Sequence, residues 1–139
     1  MELINLVRAA IFCAMAIAVG YSLMMVPNIE LITVTIFLSG LTLNALWGAL
    51  VGFIAMGIYS GLNPLGSGLG FPPLFFAQLM SMSLCGVIGG FLKPFLVTNR
   101  YNISRLVLLG LSGFMVTLIY DVLTLISYPI FSGLGAVGV

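Results

Sequence analysis

From residue 31 to residue 92 the chain carries no charged side chain, a run of 62 positions dense in Leu, Ile, Val, Met, Phe and Gly. Helices built from such a run are hydrophobic all the way round, and water alone does not support them. A few polar groups stand within the run or at its edge, namely Glu30, Asn44, Asn63 and Gln78, with punctuation at Pro27, Pro64, Pro72 and Pro73. The stretch reads as the wall of a pocket embedded in a membrane.

Composition extends this reading to the whole chain. Only 5% of the residues are charged, against about 25% in an ordinary soluble domain, so the chain lacks the polar surface to coat itself in water. The apolar runs are continuous rather than alternating, which argues against a transmembrane β-barrel. At about 20 residues per crossing, 139 residues allow at most five or six helices. The expected fold class is an all-α membrane protein, one polytopic helical bundle occupying 1–139.

Several functions are disfavoured on the same grounds. A net charge of +1 without a basic run speaks against nucleic acid as a partner. The absence of His removes the commonest metal ligand and the usual general base near pH 7. Cys13 and Cys85 lie in apolar runs and read as small packing residues. Neither metal nor cofactor is expected, and an enzyme is disfavoured because only Glu30 and Asp121 remain as acid–base candidates. No G-x-x-x-x-G-K-[ST] loop is present, so any energy from ATP must come from partners.

Taken in order, the residues predict helices over about 5–25, 29–42, 45–60, 72–92 and 103–128. The apolar run after Arg8 is longer than the h-region of a signal peptide and is followed by further membrane segments, so it reads as a first helix. Pro27 ends it. The 33 residues from Asn28 to Ser60 would make one helix of about 50 Å, too long for a hydrocarbon core of roughly 30 Å. A break near Gly40–Asn44 is therefore expected, as two crossings or a re-entrant pair. With two crossings, Arg8, Lys93, Arg100 and Arg105 fall on one side, which the positive-inside tendency makes cytoplasmic. The N-terminus is then cytoplasmic, and the 63–73 loop and the Gly-rich tail lie outside.

Individual residues carry sharper expectations. Ala10, Ala14 and Ala18 form a flat four-spaced stripe suited to a close helix partner, inside or outside the chain. Gly48-x-x-x-Gly52 reads as internal packing, while Gly86, Gly89, Gly90, Gly110 and Gly113 loosen or closely pack their helices. Trp47 and Tyr101 read as interfacial belt residues. Carboxylates within a membrane default to function, and the topology places Glu30, Asn63, Gln78 and Asp121 at similar depth near the outer face. For Glu30 a structural role is open as well, as an acid facing a helix N-terminus. Together with Asn28 these are the candidate substrate-binding residues. Few charges line such a pocket, which suits a mostly apolar or aromatic ligand with a few hydrogen-bonding groups.

The order PNIELIT, WGALVGFIAMGIYSGLNPLG, PPLFFAQ, GVIGG and YDVLT resembles the substrate-binding S components of energy-coupling factor transporters, and the resemblance extends over residues 5–130. The resemblance implies a vitamin-uptake subunit of the prokaryotic plasma membrane, usually of six helices. Its substrate, a vitamin or related small molecule, sits in an outward-facing pocket capped by extracellular loops. It also implies partners, a transmembrane T component and two ATPase subunits, with the T component contacting an alanine stripe that Ala10, Ala14 and Ala18 match. The departure from the pattern is the missing sixth helix, from which an incomplete chain is expected. The alternative is a self-associating small membrane channel or assembly protein, since glycine-rich helices pack into oligomers as readily as into pockets.

Overall fold

The computed structural model describes residues 2–25, 31–64, 68–97 and 102–132, with residue 2 and residues 127–132 as backbone only. Asn28, Glu30, Arg100 and Tyr101 lie outside the described residues. Five helices follow one another: α1 (Glu2–Leu23), α2 (Leu31–Thr42), α3 (Ala45–Gly61), α4 (Pro72–Leu96) and α5 (Ile103–Ser132), with a 3-10 turn at Gly68–Gly70 before α4. Among the described residues there is no strand. Three helices, at Leu3–Leu23, Pro72–Leu96 and Ile103–Ile126, are long and apolar enough to cross a membrane. The other two, with 12 and 17 residues, extend roughly 18 and 26 Å and fall short of a full crossing on their own. The expectation of five helices holds among the described residues, and three of them are long enough to cross a membrane on their own.

Contacts pair as a sequential up-and-down bundle does. Helix α3 packs most extensively on α4, α2 also lies on α4, α1 rests on α2 and α3, and α5 leans on α4 with a slight touch on α2. Among the described residues α5 reaches neither α1 nor α3. The buried core runs through Ala16, Ile36, Val51, Ala55, Met82, Cys85 and Val116. Large apolar side chains outside it, such as Leu3, Phe91, Val107 and Leu125, are exposed. That surface suits hydrocarbon and not water.

Glycines set how closely the three middle helices approach. A Cβ on Gly48 of α3 would lie 2.5 Å from Gly40 Cα of α2 and 2.5 Å from Gly86 O of α4. A Cβ on Gly86 would strike the Gly48 carbonyl in return. One helical turn further on, a Cβ on Gly52 would strike Met82 O. Backbone thus meets backbone along the α3–α4 seam, the close approach that small residues permit between membrane helices. Gly48 and Gly52 do pack internally, as their spacing suggested. Gly110 and Gly113 differ, with nothing within 4 Å of a Cβ placed on either.

The break between α2 and α3 has a local cause. Asn44 is extended and exposed, and its side chain accepts a hydrogen bond from Trp47 N at 3.0 Å, an N-cap for α3. Lys93 Nζ donates to Thr42 O and Leu43 O, both at 2.8 Å, and so satisfies carbonyls that α2 leaves open at its C-terminus. Asn44 therefore belongs to the turn at the expected break and not to the wall of a pocket. Helix α4 also runs four residues past its expected end at 92, through Pro94 in its last turn to Leu96. This extension carries Lys93 to α2.

Candidate functional site

A small group of polar side chains lies at the end of the bundle opposite Lys93. Ser60 ends α3, is 5% exposed, and donates its hydroxyl to Gln78 Oε1 of α4 at 2.7 Å. Gln78 is half-buried. With its oxygen held by Ser60, its amide N–H groups are the donors that the site presents. Above the pair sits the 3-10 turn, so close that a Cβ on Gly68 would strike Ser60 Oγ and lie 3.0 Å from the Phe75 ring. Only glycine lets this turn lie flat on the α3–α4 end.

Two aromatic rings lie at the same end of the bundle, between α1 and α3. Tyr21 and Tyr59 stand with ring centroids 5.2 Å apart at 50°, a tilted arrangement within the favoured range. The Tyr21 hydroxyl donates to Tyr59 O at 3.3 Å and to Ile58 O at 3.4 Å. Gly20 makes room for this, since a Cβ there would lie 3.0 Å from the Tyr59 ring. Helices α1 and α3 keep a constant offset of 38 residues from Cys13–Val51 to Tyr21–Tyr59, so they run parallel and bring these tyrosines to one level. Phe75 and Phe76 form an edge pair at 5.9 Å on the α4 side.

The sequence-derived site residues are partly united. Gln78 is in the cluster, and Asn63, half-buried and engaged in an interaction of its own, begins the loop above it. Asp121 is exposed on α5, beside a hollow of about 480 Å³ lined by Val122, Thr124 and Leu125. Helix α5 packs on α4, which carries Gln78, and among the described residues no hydrogen bond links Asp121 to Ser60 or Gln78. Asn28 and Glu30, as noted, are not among the described residues. Tyr21, Tyr59 and Ser60 were missed by sequence reasoning; the available signal was that Tyr21 and Tyr59-Ser60 close two apolar helices. Among the described residues no three Cys, Asp or Glu side chains gather as a metal site.

Ala10, Ala14 and Ala18 all face outward from α1, whereas Ala9, Ala16 and Gly20 face the bundle. The stripe is thus not used for packing among the described residues. Cys13 and Cys85 are free thiols that aim at the carbonyls of Val51 and Val116, at 3.7 and 3.9 Å. No protein-family model matches the chain, and no curated protein or solved structure shows significant similarity to it.

Proposed function

We propose that the protein is a multi-pass membrane subunit that binds a small molecule at the Ser60–Gln78 end and hands it to a partner. The observation that carries this reading is the polar and aromatic cluster itself. Ser60, Gln78, Tyr21 and Tyr59 lie at one end of a largely apolar bundle, with a glycine turn against Ser60. Polar side chains are costly inside a membrane, and a cluster of them at one end is the mark of a ligand site. An amide whose N–H groups have no partner among the described residues, at the same end as a tyrosine pair, fits a planar, vitamin-like compound with a few hydrogen-bonding groups.

The particular reading is the one that the resemblance implies, the S component of an energy-coupling factor importer. The exposed stripe of Ala10, Ala14 and Ala18 supports it, as a face free to receive a T component that partner ATPases drive. In this reading the Gln78 end faces outward, the Lys93 end faces the cytoplasm of a prokaryotic cell, and the protein catalyses no reaction.

Native mass spectrometry of protein purified in mild detergent tests the proposal. A small organic molecule should co-purify, and Gln78→Leu should lose it while the protein stays folded. Ion flux through the purified protein alone, with no bound molecule, would support the channel reading and refute this one.

A further inference from the structure

We infer that the crevice between α2 and α5 holds one acyl chain of an anionic phospholipid, whose phosphate is bound by Arg105 at the Lys93 end of the bundle. The crevice has a volume of about 450 Å³ and is lined by Val34, Phe37 and Leu38 of α2 and by Leu109, Gly110 and Gly113 of α5. Its walls are almost wholly apolar, and in a bilayer such a space fills with hydrocarbon. The two glycines keep it open, since nothing lies within 4 Å of a Cβ on either.

Charge at the mouth selects the headgroup. Arg105 lies one turn before Leu109 on the same stripe of α5, and helical side chains lean toward the N-terminus, which carries the guanidinium past the mouth. It is half-buried between two exposed neighbours, Ser104 and Leu106. No described acidic side chain shares its end of α5. Asp121 lies sixteen residues further along the same helix, roughly 24 Å away. Glu2 begins α1, which does not touch α5 among the described residues. Lys93 adds positive charge at this end but is already bound to two carbonyls. An arginine with no acidic partner among the described residues, at the rim of an apolar slot, matches a phosphodiester, which guanidinium binds bidentately, with the attached chain lying in the slot.

The inference requires a membrane protein but not the substrate reading, and its test uses a different ligand. Purified full-length protein is titrated with phosphatidylglycerol and, separately, with phosphatidylcholine of the same acyl chains, and bound lipid is counted by native mass spectrometry. One phosphatidylglycerol should bind about tenfold more tightly than phosphatidylcholine. Arg105→Gln should abolish that preference, and Arg105→Lys should keep part of it. Gly113→Leu and Gly110→Leu, whose side chains enter open space, should each reduce binding of both lipids, with circular dichroism confirming the fold. Equal binding of the two lipids to the unaltered protein, or a preference that survives Arg105→Gln, overturns the inference. So does a dimer whose formation excludes lipid and is lost in Gly113→Leu, because the crevice then receives a second copy of the chain.

Discussion

Replacing Gly48 by alanine tests the packing of the bundle most directly. The added methyl would stand 2.5 Å from Gly40 Cα on one side and 2.5 Å from Gly86 O on the other. Carbon contacts are comfortable at about 3.5–4.0 Å, so each approach is at least about 1 Å too close. The two obstacles belong to α2 and α4, so α3 cannot escape one without pressing on the other, and both are backbone, which has no rotamer to change. Overpacking of this kind costs about 1–3 kcal/mol, and the upper half of that range applies here. Alanine recovers about 0.5–1 kcal/mol by its better helix propensity, which leaves a net loss near 2 kcal/mol. Gly57→Ala on the same helix is the control, because nothing lies within 4 Å of a Cβ there. Unfolding in mixed micelles with increasing sodium dodecyl sulfate measures both variants. Equal stability of Gly48→Ala and Gly57→Ala, within about 0.5 kcal/mol, would falsify the backbone-to-backbone seam.

Other expectations follow from single contacts. Asn44→Ala removes the N-cap of α3 and should cost about 1 kcal/mol in the same unfolding assay, with Asn44→Asp close to neutral. Lys93→Met keeps the apolar stem but leaves Thr42 O and Leu43 O without their donor, for a loss of about 1–3 kcal/mol that Lys93→Arg should largely avoid. Once the small molecule is identified by mass spectrometry, Ser60→Ala should weaken its binding by freeing Gln78. Asp121→Asn, on the exposed face of α5, should leave affinity within about twofold in the same titration. Ala14→Trp should fold normally, since Ala14 is exposed, yet block association with a T component in pull-down from a reconstituted complex. For orientation, a cysteine at Leu69 should react with an impermeant maleimide in intact cells, while one at Val97 should not. Both positions are exposed, so the reverse pattern inverts the bundle.

Much of this architecture was legible in the residues, and the reasons differ from element to element. The helix ends at Leu23, Thr42, Gly61 and the start at Pro72 fall within two residues of expectation, because Pro72-Pro73 and the length limit of a crossing are strong constraints. The far end of α4 was misjudged because proline usually stops a helix. Pro94 gives up one hydrogen bond, the one its N–H would make to the Gly90 carbonyl, and the helix carries that loss for only two more residues, to Leu96. Asn44 carried a readable capping signal ahead of Ala45, but its setting in a long apolar run made it look buried. The partnership of Ser60 with Gln78 depends on how far α3 is rotated against α4, which the glycine seam sets. Periodicity in so uniformly apolar a segment gives no such angle. The same uniformity hid the outward turn of Asp121, since depth along a helix can be counted from sequence and azimuth cannot.

The Lys93 bridge has a consequence for how the protein is made. Thr42 and Leu43 leave the ribosome some fifty residues before the lysine that satisfies their carbonyls. During that interval α2, at 12 residues, is too short to settle alone and must enter the bilayer as a hairpin with α3. Its turn stays hydrated at the surface until α4 descends and its glycines slide against Gly48 and Gly52. A nascent chain halted before residue 93 should therefore keep a cysteine at Leu43, which is buried in the finished bundle, open to water-soluble maleimide. A chain extended through Ser132 should protect it, and equal reactivity at both lengths would show that the turn is set without α4. Biogenesis of this bundle is thus arranged as a clasp closed from downstream, in which a single late-arriving cation locks a hairpin already in place.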